Sequence, residues 1–80
     1  DASQLVEANH SAEMVSKALK ALETKYQQVL LLRYQEDFSY DEIATALDKP
    51  LNTVRTWLRR GKDLLRNELI QHDPNNSYAN

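Results

Sequence analysis

Apolar residues in this chain recur three and four positions apart, the spacing of one helix face, and no strand-like alternation bounded by turn residues is present. Val15, Ala18, Leu19 and Leu22 define a first helix over about residues 12–22, with Ser11 placed to cap it. A second helix is expected over about 25–36. Tyr26, Val29, Leu30, Leu31, Leu32 and Tyr34 surround most of its circumference. A helix apolar nearly all round needs cover on more than one side. It therefore reads as the central core helix, and Tyr26, Leu30, Leu31 and Tyr34 are the candidate docking surface for a partner. A short third helix spans about 40–47, turning Ile43, Ala44 and Leu47 inward. A fourth runs over about 51–71 and buries Val54, Leu58, Leu65 and Leu69. The fold class predicted is all-α, a small four-helix domain.

Polar residues at the element ends set the boundaries. Thr24 with Gln27, and Ser39 with Glu42, have the spacing of a capping box, in which two side chains satisfy each other's open backbone donors. Asp48 tolerates a left-handed turn conformation, and Pro50 keeps Lys49 out of a helix while suiting a helix start. Asp73 and Pro74 close the fourth helix. The domain is thus expected over residues 11–72. Residues 1–10 form a lead-in or interdomain linker with a helical turn around Leu5, and 73–80, "DPNNSYAN", form a flexible tail. The chain opens at Asp1 rather than Met, so it is expected to be part of something longer.

Two helices joined by a turn of three or four residues, the second one basic, make the pattern of a helix-turn-helix at the C-terminal end. Ala44 is small where the two helices approach, and Asp48 sits at the sharp turn. The charge distribution supports a polyanionic partner despite a net charge of -2. Residues 1–48 carry 4 cations and 9 anions, whereas 49–72 carry 6 cations and 2 anions. A local field outweighs the total for such a partner. Projected at about 100° per residue, Arg55, Arg59, Lys62 and Arg66 fall within roughly 60° of one another, with Thr56 and Arg60 beside them. A solvated basic face on an amphipathic helix is the plain alternative. The turn spacing, Ala44, the absence of acid within the stripe and the acid excess elsewhere favour a DNA contact. A major groove admits one α-helix, in which Arg grips guanine edges while Lys and Thr hold phosphates.

Other chemistry finds little footing. The chain has no cysteine, hence no disulfide and no thiolate metal site, which fits a reducing compartment. No apolar run reaches the roughly 18 residues of a membrane span, and no signal-peptide pattern is visible. His10 and His72 stand near the ends without partners, and Asp41 and Glu42 suit the start of a helix. No phosphate loop, nucleophile motif or metal-ligand spacing appears. The sequence predicts neither an enzyme nor a cofactor or metal, and no small-molecule substrate. Tyr26, Tyr34 and Phe38 read as core rather than as a base-stacking platform.

The run "ALETKYQQVLLLRYQEDFSYDEIATALDKPLNTVRTWLRRGKDLL" resembles region 4 of bacterial RNA polymerase sigma factors, with the extracytoplasmic-function group nearest. "LLLRYQEDFSYDEIA" and "TVRTWLRRGKDLL" are its most specific pieces. The resemblance implies promoter recognition in transcription initiation: the fourth helix reads the minus-35 element of double-stranded DNA. The other helices dock the β flap of the RNA polymerase core, and an anti-sigma factor competes for those surfaces. It implies a cytoplasmic location and a further sigma domain ahead of Asp1. Carried over by position, Arg55, Thr56, Arg59 and Arg60 face DNA, with Thr53 and Lys62 on phosphates. The chain departs from the family at Asn52 (usually Gly), at Gly61 (usually Ala), at Glu23 (usually Pro) and at Trp57, where a basic residue is common. Trp57 either packs beside the core or alters sequence preference. Gly61 marks either a close backbone approach or a kink. LuxR-type regulators share "NTV" followed by a basic residue and Thr. The Arg33–Tyr34 run and the aromatic link at Phe38 and Tyr40 favour the sigma reading.

Overall fold

The computed structural model describes residues 11–72; for His72 only the backbone is described. The order is α1 (Ala12–Lys20), α2 (Thr24–Tyr34), α3 (Tyr40–Leu47) and α4 (Leu51–His72), with no strand among the described residues. The predicted turn at Leu5, His10, the His72 side chain, the ending residues Asp73 and Pro74 and the tail lie outside them.

Each helix buries the stripe its spacing defines. Val15, Ala18, Leu19 and Leu22 from the α1 stretch meet Tyr26, Val29 and Leu30 of α2, Ile43 of α3, and Val54, Leu58, Leu65 and Leu69 of α4 in one core. The hub of that core is α4, not the second helix as its apolar circumference suggested. α4 packs against each of the other three. Its 22 residues extend about 33 Å at 1.5 Å per residue, long enough to span them all. The surface of α2 divides instead into a buried side, half-buried Leu32 and Tyr34, and exposed Leu31.

α2 and α4 approach each other closely at Gly61. A Cβ there would lie 3.3 Å from Leu30 Cδ1 and 3.5 Å from Tyr26 Cβ. Gly61 is therefore a close-approach residue, which resolves the two readings of its departure. It costs α4 about 1 kcal/mol of helix propensity relative to Ala and lets the Leu30 and Tyr26 side chains pack directly on the α4 backbone.

The two predicted capping boxes fare differently. At α3 the box forms: Glu42 N–H donates to Ser39 Oγ at 3.1 Å and Ser39 N–H donates to Glu42 Oε1 at 2.7 Å. These bonds, the backbone one first, hold the Glu42 carboxyl below its ordinary pKa. At α2 the box does not form. Glu23 takes the extended cap conformation (φ -59, ψ 149), so the helix starts one residue early and Thr24 falls inside it. Gln27 Nε2 then donates to the Leu22 carbonyl at 2.7 Å, tying α2 back to the end of the α1 stretch. At α1, Ser11 caps as expected, accepting from Met14 N–H at 3.1 Å.

Candidate nucleic-acid interface

The turn that aims α4 is built from backbone chemistry. Asp48 adopts the left-handed conformation, φ 55 and ψ 51. Lys49 N–H reaches back to the Ala44 carbonyl at 3.0 Å, closing the end of α3 with the wide bond of a left-handed helix stop. Pro50 follows, and its carbonyl accepts from Val54 N–H at 3.2 Å as α4 begins. A second left-handed residue, Asp37 (φ 59), turns the chain between α2 and α3. Arg33 locks that link: its NH1 donates to the Phe38 carbonyl at 2.9 Å and its guanidinium lies 5.1 Å from the Tyr40 ring. Arg33 thereby ties the end of α2 to the start of α3.

The predicted contact residues do not all share one face. Asn52, Arg55, Thr56 and Arg59 line a shallow open groove on the outer side of α4. Arg55, Arg59, Arg60 and Arg66 are exposed, and Thr53 and Thr56 are half-buried. None of the four arginines enters an ion pair or side-chain hydrogen bond among the described residues. Arg60 stands about 100° around the helix from Arg59, on the side of Thr53. Lys62 departs furthest from expectation. It is half-buried, and its ammonium lies 5.6 Å from the Tyr34 ring of α2. At the edge of the stripe nearest the core it leans over α2 instead of standing clear. Asp63 is exposed close to Arg59 by helical projection, an acid the stripe reading passed over.

Three residues went unremarked as a group. Lys25 Nζ lies 5.4 Å and Lys49 Nζ 6.0 Å from the Trp57 ring, so two ammonium groups from separate elements share one indole. Trp57 is half-buried against the core, in line with the packing reading of its departure. No local spacing could reveal this cluster, because the three residues belong to α2, the turn and α4. Asn52, a departure from the family's usual glycine, also lines the groove.

The docking set requires correction. Tyr26 is 4% exposed and Leu30 0%, so both are core and neither offers a surface to a partner. The approach of α4 at Gly61 covers them. Leu31, 38% exposed, and half-buried Tyr34 remain, and with Ala12, Ser16 and Gln35 they border an apolar groove between α1 and α2. No group of three or more His, Asp or Glu that could hold a metal occurs among the described residues, and no helix among them is long and apolar enough to cross a membrane.

A short left-handed turn between two helices, the second displaying unpaired arginines, defines a helix-turn-helix module. Its lineage follows from comparison with known proteins. The family model described as "Sigma-70, region 4" matches residues 12–65, and the chain belongs to that family. Among relatives, it is 37% identical over 55 residues to "ECF RNA polymerase sigma factor SigW" of Bacillus subtilis (strain 168), covering 69% of this chain and 29% of that one. It is 37% identical over 57 residues to "RNA polymerase sigma factor SigV" of the same organism, covering 71% and 34%. The "RNA polymerase sigma-E factor" of Streptomyces coelicolor is 37% identical over 60 residues, covering 75% and 34%. The chain therefore spans about a third of the length of these curated relatives. No solved structure gives a significant match. The family match agrees with the sigma resemblance over the LuxR-type alternative.

Proposed function

We propose that this chain is the promoter-reading module of a sigma factor, a non-enzymatic part of transcription initiation that acts with RNA polymerase in the bacterial cytoplasm. The observation that carries this reading is the outer face of α4: Asn52, Arg55, Thr56 and Arg59 border one open groove, and the arginines are exposed and unpaired. In the major groove of the minus-35 element, Arg55 and Arg59 read base edges, and Thr53, Thr56 and Arg60 hold the flanking backbone. Lys62 reaches phosphate from its place over Tyr34. Each bidentate Arg–base pair discriminates by about 1–3 kcal/mol.

A second role on the same module is favoured by the groove between α1 and α2. Leu31 there, 38% exposed, and the half-buried Tyr34 border an apolar groove between α1 and α2. In this reading it docks the polymerase β flap, and an anti-sigma factor competes for it.

Fluorescence anisotropy on a labelled duplex selected from a random pool tests the first role. Arg59→Ala should weaken binding to the selected duplex by about 1–3 kcal/mol and relax preference at the bases it contacts. Equal affinity of variant and parent at physiological salt would contradict the assignment.

A further inference from the structure

The outer face of α4 has two edges. By helical projection Arg55, Lys62 and Arg66 run along one, and Thr53, Arg60 and Trp57 along the other, with Asn52, Thr56 and Arg59 between them. A major groove is about 12 Å wide, and its two walls are both sugar-phosphate backbone. A helix about 10–12 Å across fills that width and meets phosphate on both sides. The first edge carries its own cations. The second carries Arg60 alone, because the next position along it is the uncharged Trp57. The missing charge stands over the indole: Lys25 and Lys49, with Nζ 5.4 and 6.0 Å from its ring.

Resting on the DNA reading above, we propose that Lys25, Trp57 and Lys49 form a composite phosphate clamp that grips the backbone opposite the one held by Arg55. The clamp unites three elements, and α4 supplies the ring rather than the charge. Lys25 Nζ also lies 5.2 Å from the Tyr26 ring, so this ammonium faces two aromatic rings. Neither ammonium pairs with a carboxylate among the described residues. Two ammonium groups held at one ring concentrate positive potential there, and a phosphate is attracted by both. Drawing the ammonium groups to the indole also reduces the freedom lost when phosphate binds. The clamp adds affinity without reading sequence.

The test is the salt dependence of duplex binding by the 80-residue chain, compared among the parent, Lys25→Gln, Lys49→Gln, the double variant and Arg59→Ala. Each neutralised phosphate contributes about 0.9 to the slope of log affinity against log salt. Each single variant should lower the slope by about 0.9 and the double by about 1.8, with base preference unchanged. Between 50 and 200 mM salt the double variant should lose about twelvefold less affinity than the parent. The chain has one tryptophan, so Trp57 emission reports the same event. It should change when duplex is added to the parent and change less in the double variant. Matching circular dichroism controls for folding, and the single variants carry the test should the double fail to fold. An unaltered slope in variants that fold, with Arg59→Ala still weakening binding, would overturn the clamp and leave the DNA reading standing. Failure of the parent to bind any duplex at 50 mM salt would overturn both.

Discussion

The α1–α2 link and the α3–α4 turn both redirect the chain within a few residues, but by different means. The α3–α4 turn is held by its own backbone: a left-handed Asp48, a bond from Lys49 back to Ala44, and Pro50 at the next start. The α1–α2 link has no left-handed residue and no side-chain cap at Glu23; short backbone bonds from Ala21 and Leu22 close α1, and Gln27 holding the Leu22 carbonyl and burial against α4 do the rest. A helix that must present side chains to a groove at a fixed angle benefits from a turn set locally. A pair that only has to cover a core can take its angle from packing. The proposed roles follow the same division, with sequence reading on the rigid turn and docking on the packed pair.

The largest effect expected separates core from surface within α2. Leu30→Ala should cost about 2–5 kcal/mol in urea unfolding, since Leu30 is fully buried. Leu31→Ala, one residue on, should stay within about 0.5 kcal/mol and weaken only binding of a flap or anti-sigma segment. A loss for Leu30→Ala as small as that predicted for Leu31→Ala would return Leu30 to the docking surface. Next in size is the α2–α4 contact. Gly61→Val places a branched side chain against Leu30 and Tyr26 and should destabilise by about 1–3 kcal/mol. A neutral result would point to a kink at Gly61 in place of a close approach.

Smaller effects probe the starts of α3 and α2. Ser39→Ala removes a cap and should cost about 1 kcal/mol, whereas Thr24→Ala should cost less, because no cap bond depends on Thr24. The Glu42 carboxyl has its pKa lowered by the same box. Its stabilising effect is therefore present at neutral pH and is lost as pH falls through the folded-state value. Glu42→Gln keeps an acceptor that does not titrate. The parent should melt higher than this variant at pH 7, and the two should converge in acid. A constant gap across that range would show that ionisation of Glu42 adds nothing to the box.

The same contrast explains what could be read from the residues alone. Ser39, Glu42, Asp48 and Pro50 act within a few positions of one another, so the helix-turn-helix followed from local rules. The burial of Val54, Leu58, Leu65 and Leu69 followed from period. The hub role of α4, the covering of Tyr26 and Leu30, and the two lysines gathered at Trp57 depend on which helix packs where. No spacing within one segment encodes that. Thr24 and Gln27 had the right spacing for a box, but Glu23 took the cap position first. Lys62 had the right projection for the stripe, but the ring of Tyr34 in a neighbouring helix drew it aside.

The most direct measurement is amide chemical-shift mapping of the chain titrated with its selected duplex. The outward face of α4 as the reading surface predicts the largest changes at Asn52, Arg55, Thr56 and Arg59, with Ala12, Ser16, Leu31 and Gln35 unmoved. Changes confined to the α1–α2 groove, with those four α4 residues silent, would contradict it.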